Sequence, residues 1–178
     1  MKLLFASDIH GSAYWCARLL ERYQAESPHR LVLLGDLLYH GPRNDLPRDY
    51  NPKQVFAMLN PLKGAITAVR GNCDSEVDQM VLDFPMMADY LPLLVEGKTL
   101  FCTHGHLFSP DALPPLQPGD VLLSGHTHLF GDCMVNGIRC LNTGSVALPK
   151  ENRPCSYLLY DNGEFTIKDM DGTPLKLI

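Results

Sequence analysis

Aspartate, histidine and asparagine recur along this chain in five short polar clusters. These are Asp8-Ile9-His10, Gly35-Asp36, Gly71-Asn72-Cys73-Asp74, Thr103-His104-Gly105-His106 and Gly125-His126-Thr127-His128. Such side chains bind first-row metals. Asp8 and His10 lie two apart, so in an extended segment both face one side and can share a cation. His126 and His128 repeat that spacing, and His104 adds another imidazole. Asp36 has two carboxylate oxygens, enough to bridge two ions, and Asn72 offers a neutral carbonyl oxygen. Counting Asp36 twice gives eight protein contacts, four for each of two ions, with room for a bridging water. Two divalent ions bring a charge of +4; two aspartates and a bridging hydroxide leave about +1, which would draw an anionic phosphate ester. The pattern predicts a two-metal hydrolytic centre.

No single cluster carries that prediction. A lone D-x-H or a Gly-Asp turn occurs without any ligand role, and G-N-x-D is often only a turn with a helix cap, a role that suits Asp74. G-H-T-H is more specific. The weight lies in the five together, because each closes a short apolar run: Lys2–Ala6, Leu31–Leu34, Ile66–Val69, Leu100–Cys102 and Val121–Leu123. Runs of this kind ending in glycine-rich turns read as buried strands. Ligands collect at the carboxyl ends of strands in open α/β sheets, so the five strands are expected to aim their clusters at one edge of one sheet.

The intervening segments fit that scheme. Ser12 can cap a helix with Cys16, Leu19, Leu20 and Tyr23 on one face, ended by Pro28. Asn51 and Pro52 start a second helix carrying Val55, Met58 and Leu59, closed by Gly64. Asp74 or Ser75 caps a short third helix through Val77, Met80 and Val81. This β-α-β-α-β order implies parallel strands with right-handed crossovers. The second half is richer in strand. Hairpins are expected at Glu96-Gly97, at Asn136-Gly137, where Asn-Gly favours a type I′ turn, and around Asp161-Asn162-Gly163. Two long connections, His40–Asn51 and Ser109–Asp120, are rich in Pro, Asp and Asn, and loops of that length in a compact domain tend to be functional. His40 and Arg43 in the first could contact substrate or a neighbouring subunit.

At 178 residues the chain is read as one domain, 1–178, around one core. A net charge of −5 argues against an extended nucleic-acid surface. No secretory signal and no stretch near the ~20 apolar residues of a membrane helix are seen. The six cysteines form no C-x-x-C pair, so they read as reduced thiols, mostly buried, in a cytoplasmic protein without membrane attachment.

In this order, D-x-H, G-D, G-N-x-D, T-H-G-H and G-H-T-H closely resemble the motifs of the calcineurin-like metallophosphoesterases, and within them the small bacterial YfcE-type phosphodiesterase branch. The resemblance runs from Lys2 to about Ser145. It implies an α/β (α+β) fold, a four-layer α-β-β-α sandwich of two packed mixed sheets flanked by helices. It places Asp8, His10, Asp36 and His128 around one metal, with Asp36 bridging to a second completed by Asn72, His104 and His126. Asn142-Thr143-Gly144-Ser145 resembles the family's N-P-G-S element, with Thr143 where proline is usual, and is expected to support the site. Many relatives have His at the third position of G-N-x-D; here it is Cys73, as the small bacterial branch commonly has. A neutral thiol is a weak hydrogen-bond donor. His106 is then the candidate to protonate the leaving group, or else a residue hydrogen-bonding behind a ligand. Besides ligation, His104 and Asn72 are expected to act in catalysis.

The function these features imply is a metal-dependent phosphodiesterase acting on small phosphodiesters through a dinuclear metal-activated hydroxide. Imidazole, carboxylate and amide ligands suit manganese, zinc, iron or nickel, and the resemblance favours Mn2+. Phosphomonoesterase or nucleotide hydrolysis on the same site are alternatives, and a non-catalytic protein-interaction scaffold of the same fold is a more distant one. Relatives often self-associate, so a homo-oligomer is expected.

Overall fold

The structure is a computed structural model describing residues 1–176. It contains ten strands and three helices: β1 (Lys2–Ala6), α1 (Ala13–Glu26), β2 (Arg30–Leu33), α2 (Pro52–Leu59), β3 (Ile66–Ala68), α3 (Glu76–Val81), β4 (Tyr90–Val95), β5 (Lys98–Thr103), β6 (Val121–Ser124), β7 (Phe130–Val135), β8 (Ile138–Thr143), β9 (Ser156–Asp161) and β10 (Glu164–Asp169). A 3-10 turn, Asn60–Leu62, extends α2.

The strands form two mixed five-stranded sheets, ordered β10-β9-β1-β2-β3 and β4-β5-β6-β8-β7. In the first, β1, β2 and β3 are parallel and β9 runs against β1. In the second, β5, β6 and β8 are parallel between antiparallel edges β4 and β7. The five polar clusters are therefore not on one sheet, as the run pattern alone suggests. Three follow β1, β2 and β3, and two follow β5 and β6 of the other sheet. Apolar runs identify strands but carry no information on which sheet a strand joins.

Residue alternation explains the layering. Leu3 and Phe5 of β1 pack inward with Val32, Leu100, Val121, Leu123, Leu141 and Leu158, filling the space between the sheets. Leu4 and Ala6 point the other way, against Cys16 and Leu19 of α1 and Val55 and Leu59 of α2. Burial on both faces is why β1 reads as an unbroken apolar run. On the far side of the second sheet, Phe101, Leu122, Ile138 and Cys140 are covered by Phe108, Leu113 and Leu116 of the long connection before β6. The outermost layer there is irregular chain instead of helix.

The caps act as the sequence indicates for the two longer helices. The Ser12 hydroxyl accepts the Trp15 N–H at 3.2 Å, and Asn51 accepts the Gln54 N–H at 3.2 Å. The third helix differs. Ser75 is its cap, its N–H donating to the Asp78 carboxylate at 2.8 Å, while Val77 and Met80 are 67% and 82% exposed. Of its apolar residues Val81 alone packs against the core, and Leu82, Phe84 and Met86, just beyond it, are buried there. All three hairpins turn on two residues with positive φ, Glu96-Gly97, Asn136-Gly137 and Asn162-Gly163, the conformation a type I′ turn requires. All six cysteines are free; Cys16, Cys102, Cys140 and Cys155 are buried, whereas Cys133 is exposed. No helix of the described residues is long and apolar enough to cross a membrane.

Candidate metal centre

The carboxyl ends of β1, β2, β3, β5 and β6 converge where the two sheets meet, and all seven sequence-predicted ligands gather there. The turns that carry them are unusual. Asp8, His10, Asp36, His126 and His128 all have φ between 47° and 68°, a left-handed conformation that non-glycine residues rarely adopt. Strain of this kind, of order 1–3 kcal/mol per residue, persists only where surrounding structure enforces it, and it clusters at functional sites. The neighbouring glycines let the turns approach each other. A Cβ on Gly71 would overlap the Asp36 carboxylate, and one on Gly125 would overlap Ser7 and Asp8.

Asp74 ties two of these turns together. Its carboxylate accepts the N–H groups of Asp36 at 2.7 Å, Leu37 at 2.9 Å and Gly71 at 2.7 Å. The helix-cap role suggested by G-N-x-D belongs to Ser75. Burial pushes the Asp74 carboxyl up to about 6, opposed by its three N–H bonds and reinforced by the Asp36 charge. The Asn142–Ser145 segment supports the other side. Ser145 Oγ donates to the Asp8 carbonyl at 3.0 Å, and Asn142 Nδ2 donates to the Gly125 carbonyl at 2.7 Å.

The ligand atoms form two groups. In one, His128 Nε2 lies 3.2 Å and His10 Nε2 3.5 Å from Asp8 Oδ1, with the two nitrogens 3.2 Å apart. In the other, His104 Nε2 lies 3.1 Å from Asn72 Oδ1 and 3.2 Å from His126 Nδ1. Asp36 Oδ2 stands between them, 3.6 Å from His10 Nε2 and 3.4 Å from His104 Nε2, while its Oδ1 accepts the Cys73 N–H at 2.8 Å.

Backbone carbonyls set the ring tautomers. His10 Nδ1 meets the Tyr39 carbonyl at 2.9 Å, His104 Nδ1 the Leu34 carbonyl at 2.7 Å, and His128 Nδ1 the Leu148 carbonyl at 2.6 Å. Each nitrogen must donate there, so each neutral ring presents a bare Nε2 lone pair to the cluster. His10 and His128 then aim lone pairs at each other, and His104 aims one at the Asn72 carbonyl oxygen. Asp8 Oδ1 is buried with no hydrogen-bond partner. Asp8, His10, Asp36, His104 and His128 are buried, and with neutral rings such a gathering of acceptors is costly unless cations fill it. This donor set fits metal ions.

Protons compete for the same atoms. Although burial favours the neutral ring, contact with Asp36 and the Asp8 charge push His104 up to about 9. His10 is also raised, against burial, by Asp8. Asp8 itself, despite burial, is held far below the usual carboxylate range by His10 and His128. His126 goes the other way, lowered by burial and the His104 charge.

The remaining predicted residues fall in distinct places. His106 lies beside His104, ring centroids 5.4 Å apart, with a buried Nδ1 lacking a partner, and burial lowers its pKa. Burial, with the Asp36 charge adding, pushes the Cys73 thiol up to about 12, so it stays neutral. Arg43 lines an open cleft of about 530 Å3 above the ligands, together with Asn72, Cys73, His126 and His128. His40 packs between the rings of Tyr39 and Tyr50 and is not in the cleft lining. Lys150 also lines the cleft, and sequence reasoning missed it, since no periodicity or motif marks it. The carbonyls of Leu34, Tyr39 and Leu148 were equally invisible, because a backbone acceptor leaves no trace in residue type.

Comparison with known proteins shows the family. The family model of the calcineurin-like phosphoesterase superfamily domain matches residues 1–164. The chain is 50% identical over 167 residues to phosphodiesterase YfcE of Escherichia coli strain K12, covering 94% of this chain and 91% of that protein. It is similar to the solved structure of YfcE, a phosphoesterase from E. coli, with TM-score 0.96, 47% identity, and coverage of 100% and 98%. A more distant likeness, in fold alone, is to Vps29 complexed with Zn2+ from Entamoeba histolytica, with TM-score 0.59, 19% identity, and coverage of 94% and 90%.

Proposed function

The chain belongs to the calcineurin-like phosphoesterase superfamily, and on that premise we propose that it is a phosphodiesterase whose centre holds two divalent ions, manganese by preference. Asp8, His10 and His128 would hold one ion, Asn72, His104 and His126 the other, and Asp36 both. The observation that carries this reading is the convergence of bare acceptors in two groups on either side of Asp36. When bound, the ions supply an activated water nucleophile and a positive field for the phosphoryl oxygens.

The chain's own residues supply the rest. The Nδ1–carbonyl bonds fix the His10, His104 and His128 rings so that no reorganisation is needed when charge develops. The cleft leaves Asn72, His126 and His128 facing a bound ester. Cys73, neutral at physiological pH, donates weakly to a departing oxygen. His106 stands beside His104 and is the residue assigned to meet the leaving group on that side. With so weak a donor at position 73, esters of acidic alcohols should be favoured.

The test is to strip the protein with a chelator, reload it with Mn2+, Zn2+ or Mg2+, and assay phosphodiesters, phosphomonoesters and nucleotides. The metal-free protein should be inactive, and Mn2+ should restore diester hydrolysis best. Activity persisting without metal, or confined to monoesters, would contradict the proposal.

A further inference from the structure

Two cations border the cleft and have no role in the reading above. Arg43 comes from the connection after β2, Lys150 from the connection after β8, and both line the cleft over Asp36, Asn72, His126 and His128. Elsewhere on the molecule Arg18, Lys63, Arg70, Arg139 and Lys168 each face a carboxylate within 3.3 Å. Among the described residues, Arg43 and Lys150 have no carboxylate within 4.0 Å. Asp36 is the only carboxylate among the residues lining the cleft, and its oxygens are turned to the Cys73 N–H and to His104. In a chain of net charge −5, these two cations thus border the cleft without an ion-pair partner and are free to meet an anionic group there.

Both cations also rise from anchored backbone. Gly41-Pro42-Arg43-Asn44 forms a turn closed by the Asn44 N–H to the Gly41 carbonyl at 3.3 Å, with Asn44 Nδ2 donating to the His40 carbonyl at 2.8 Å. Beyond it the connection is fastened to α1, since the Ser12 hydroxyl donates to the Arg48 carbonyl at 2.5 Å and the Arg48 guanidinium sits 3.5 Å over the Tyr14 ring. The Lys150 N–H donates to the His128 carbonyl at 3.2 Å, and its carbonyl accepts the Arg153 N–H at 3.1 Å. The segment that orients the His128 ring through Leu148 thus also presents Lys150.

The scissile phosphate of a diester carries one negative charge, which the metal centre meets. Cations on the lining of the same cleft would be within reach of the alcohol portions of a diester held there. Guanidinium and ammonium groups both favour phosphate, the first in bidentate geometry. We infer that Arg43 and Lys150 form a subsite for a second phosphoryl group, so that the preferred substrates are phosphodiesters with a phosphorylated alcohol portion. This inference rests on the phosphodiesterase reading.

The experiment uses two chromogenic esters with the same leaving group, thymidine 5′-(4-nitrophenyl phosphate) and its 3′-phosphorylated form, with the full-length manganese-loaded protein. The wild type should show a lower KM for the phosphorylated ester, on the order of fivefold for two exposed cations, and the gap should shrink as salt is raised. Arg43→Gln and Lys150→Gln should each narrow the KM ratio, and the double variant should bring it near one. Lys53→Gln, an exposed cation on α2, should leave the ratio intact. Equal KM values in the wild type, or a ratio that survives in the double variant, would overturn the subsite while leaving the phosphodiesterase reading standing. No hydrolysis of either ester would overturn both.

Discussion

At Asp36, one side chain is asked to serve both halves of the centre. Its Oδ2 lies 3.6 Å from His10 Nε2 and 3.4 Å from His104 Nε2. Asp36→Asn keeps the shape but removes the charge shared by two cations, so diester turnover should fall by at least ~10²-fold with the fold intact. Near-normal turnover with two ions bound would show that the bridging assignment is wrong. His104 supports a second expectation. In the metal-free protein its pKa lies at about 9, so at pH 7 the ring is protonated, and an ion can bind only after that proton leaves. Metal uptake should therefore release protons, and apparent affinity should weaken as pH falls below 9. Calorimetric titration with manganese in buffers of different ionisation enthalpy measures the release directly; buffer-independent heats would refute it. Cys73 sets a third. With a weak donor there, rates should depend steeply on leaving-group acidity. Cys73→His should then accelerate alkyl diesters by up to ~10²-fold, the lower end of general-acid effects. If His106 already supplies that hydrogen bond, His106→Ala should slow poor leaving groups far more than good ones. A flat acidity series in the wild type, unchanged in both variants, would contradict both roles.

The elements matter because the ligands belong to turns, and turns are only as well placed as the strands beneath them. Asp74 joins the β2 and β3 turns by accepting three buried N–H groups. Asp74→Ala would leave those donors unsatisfied, at about 1–3 kcal/mol each. Urea unfolding should therefore show a loss of several kcal/mol, accompanied by weaker metal binding; a loss below 1 kcal/mol would deny Asp74 this joining role. Position 74 also illustrates what a sequence can disclose. Its residue type and its nearness to a turn were legible, but its partners were not, because two of the three N–H groups it accepts lie more than thirty residues away. Local signals served well wherever local physics decides the outcome: the caps at Ser12 and Asn51, the Asn136-Gly137 turn, the doubly buried run of β1. At α3 they gave the helix and its Ser75 cap but not its packing, for Val77 and Met80 are exposed while Val81 touches the core.

Across the whole molecule, the division of strands between two sheets is what the residue pattern could not yield and the family resemblance could. Strand pairing is a long-range choice, and the apolar runs before Asp8 and before His104 look alike although they lie in different sheets. The consequence is that the candidate ligands straddle the junction of two sheets, one group following mainly β1 and β6, the other β3, β5 and β6. The seven residues that gather there were all legible from type and spacing, whereas Lys150 and the orienting carbonyls required the folded chain. Two ions at that junction are what the proposed function requires above all. Crystals of the manganese-loaded protein, measured for anomalous scattering at the manganese edge, test this most directly. Two peaks about 3.5–4 Å apart are predicted, one beside Asp8, His10 and His128, the other beside Asn72, His104 and His126, with Asp36 between them. A single peak, or ions bound away from Asp36, would contradict it.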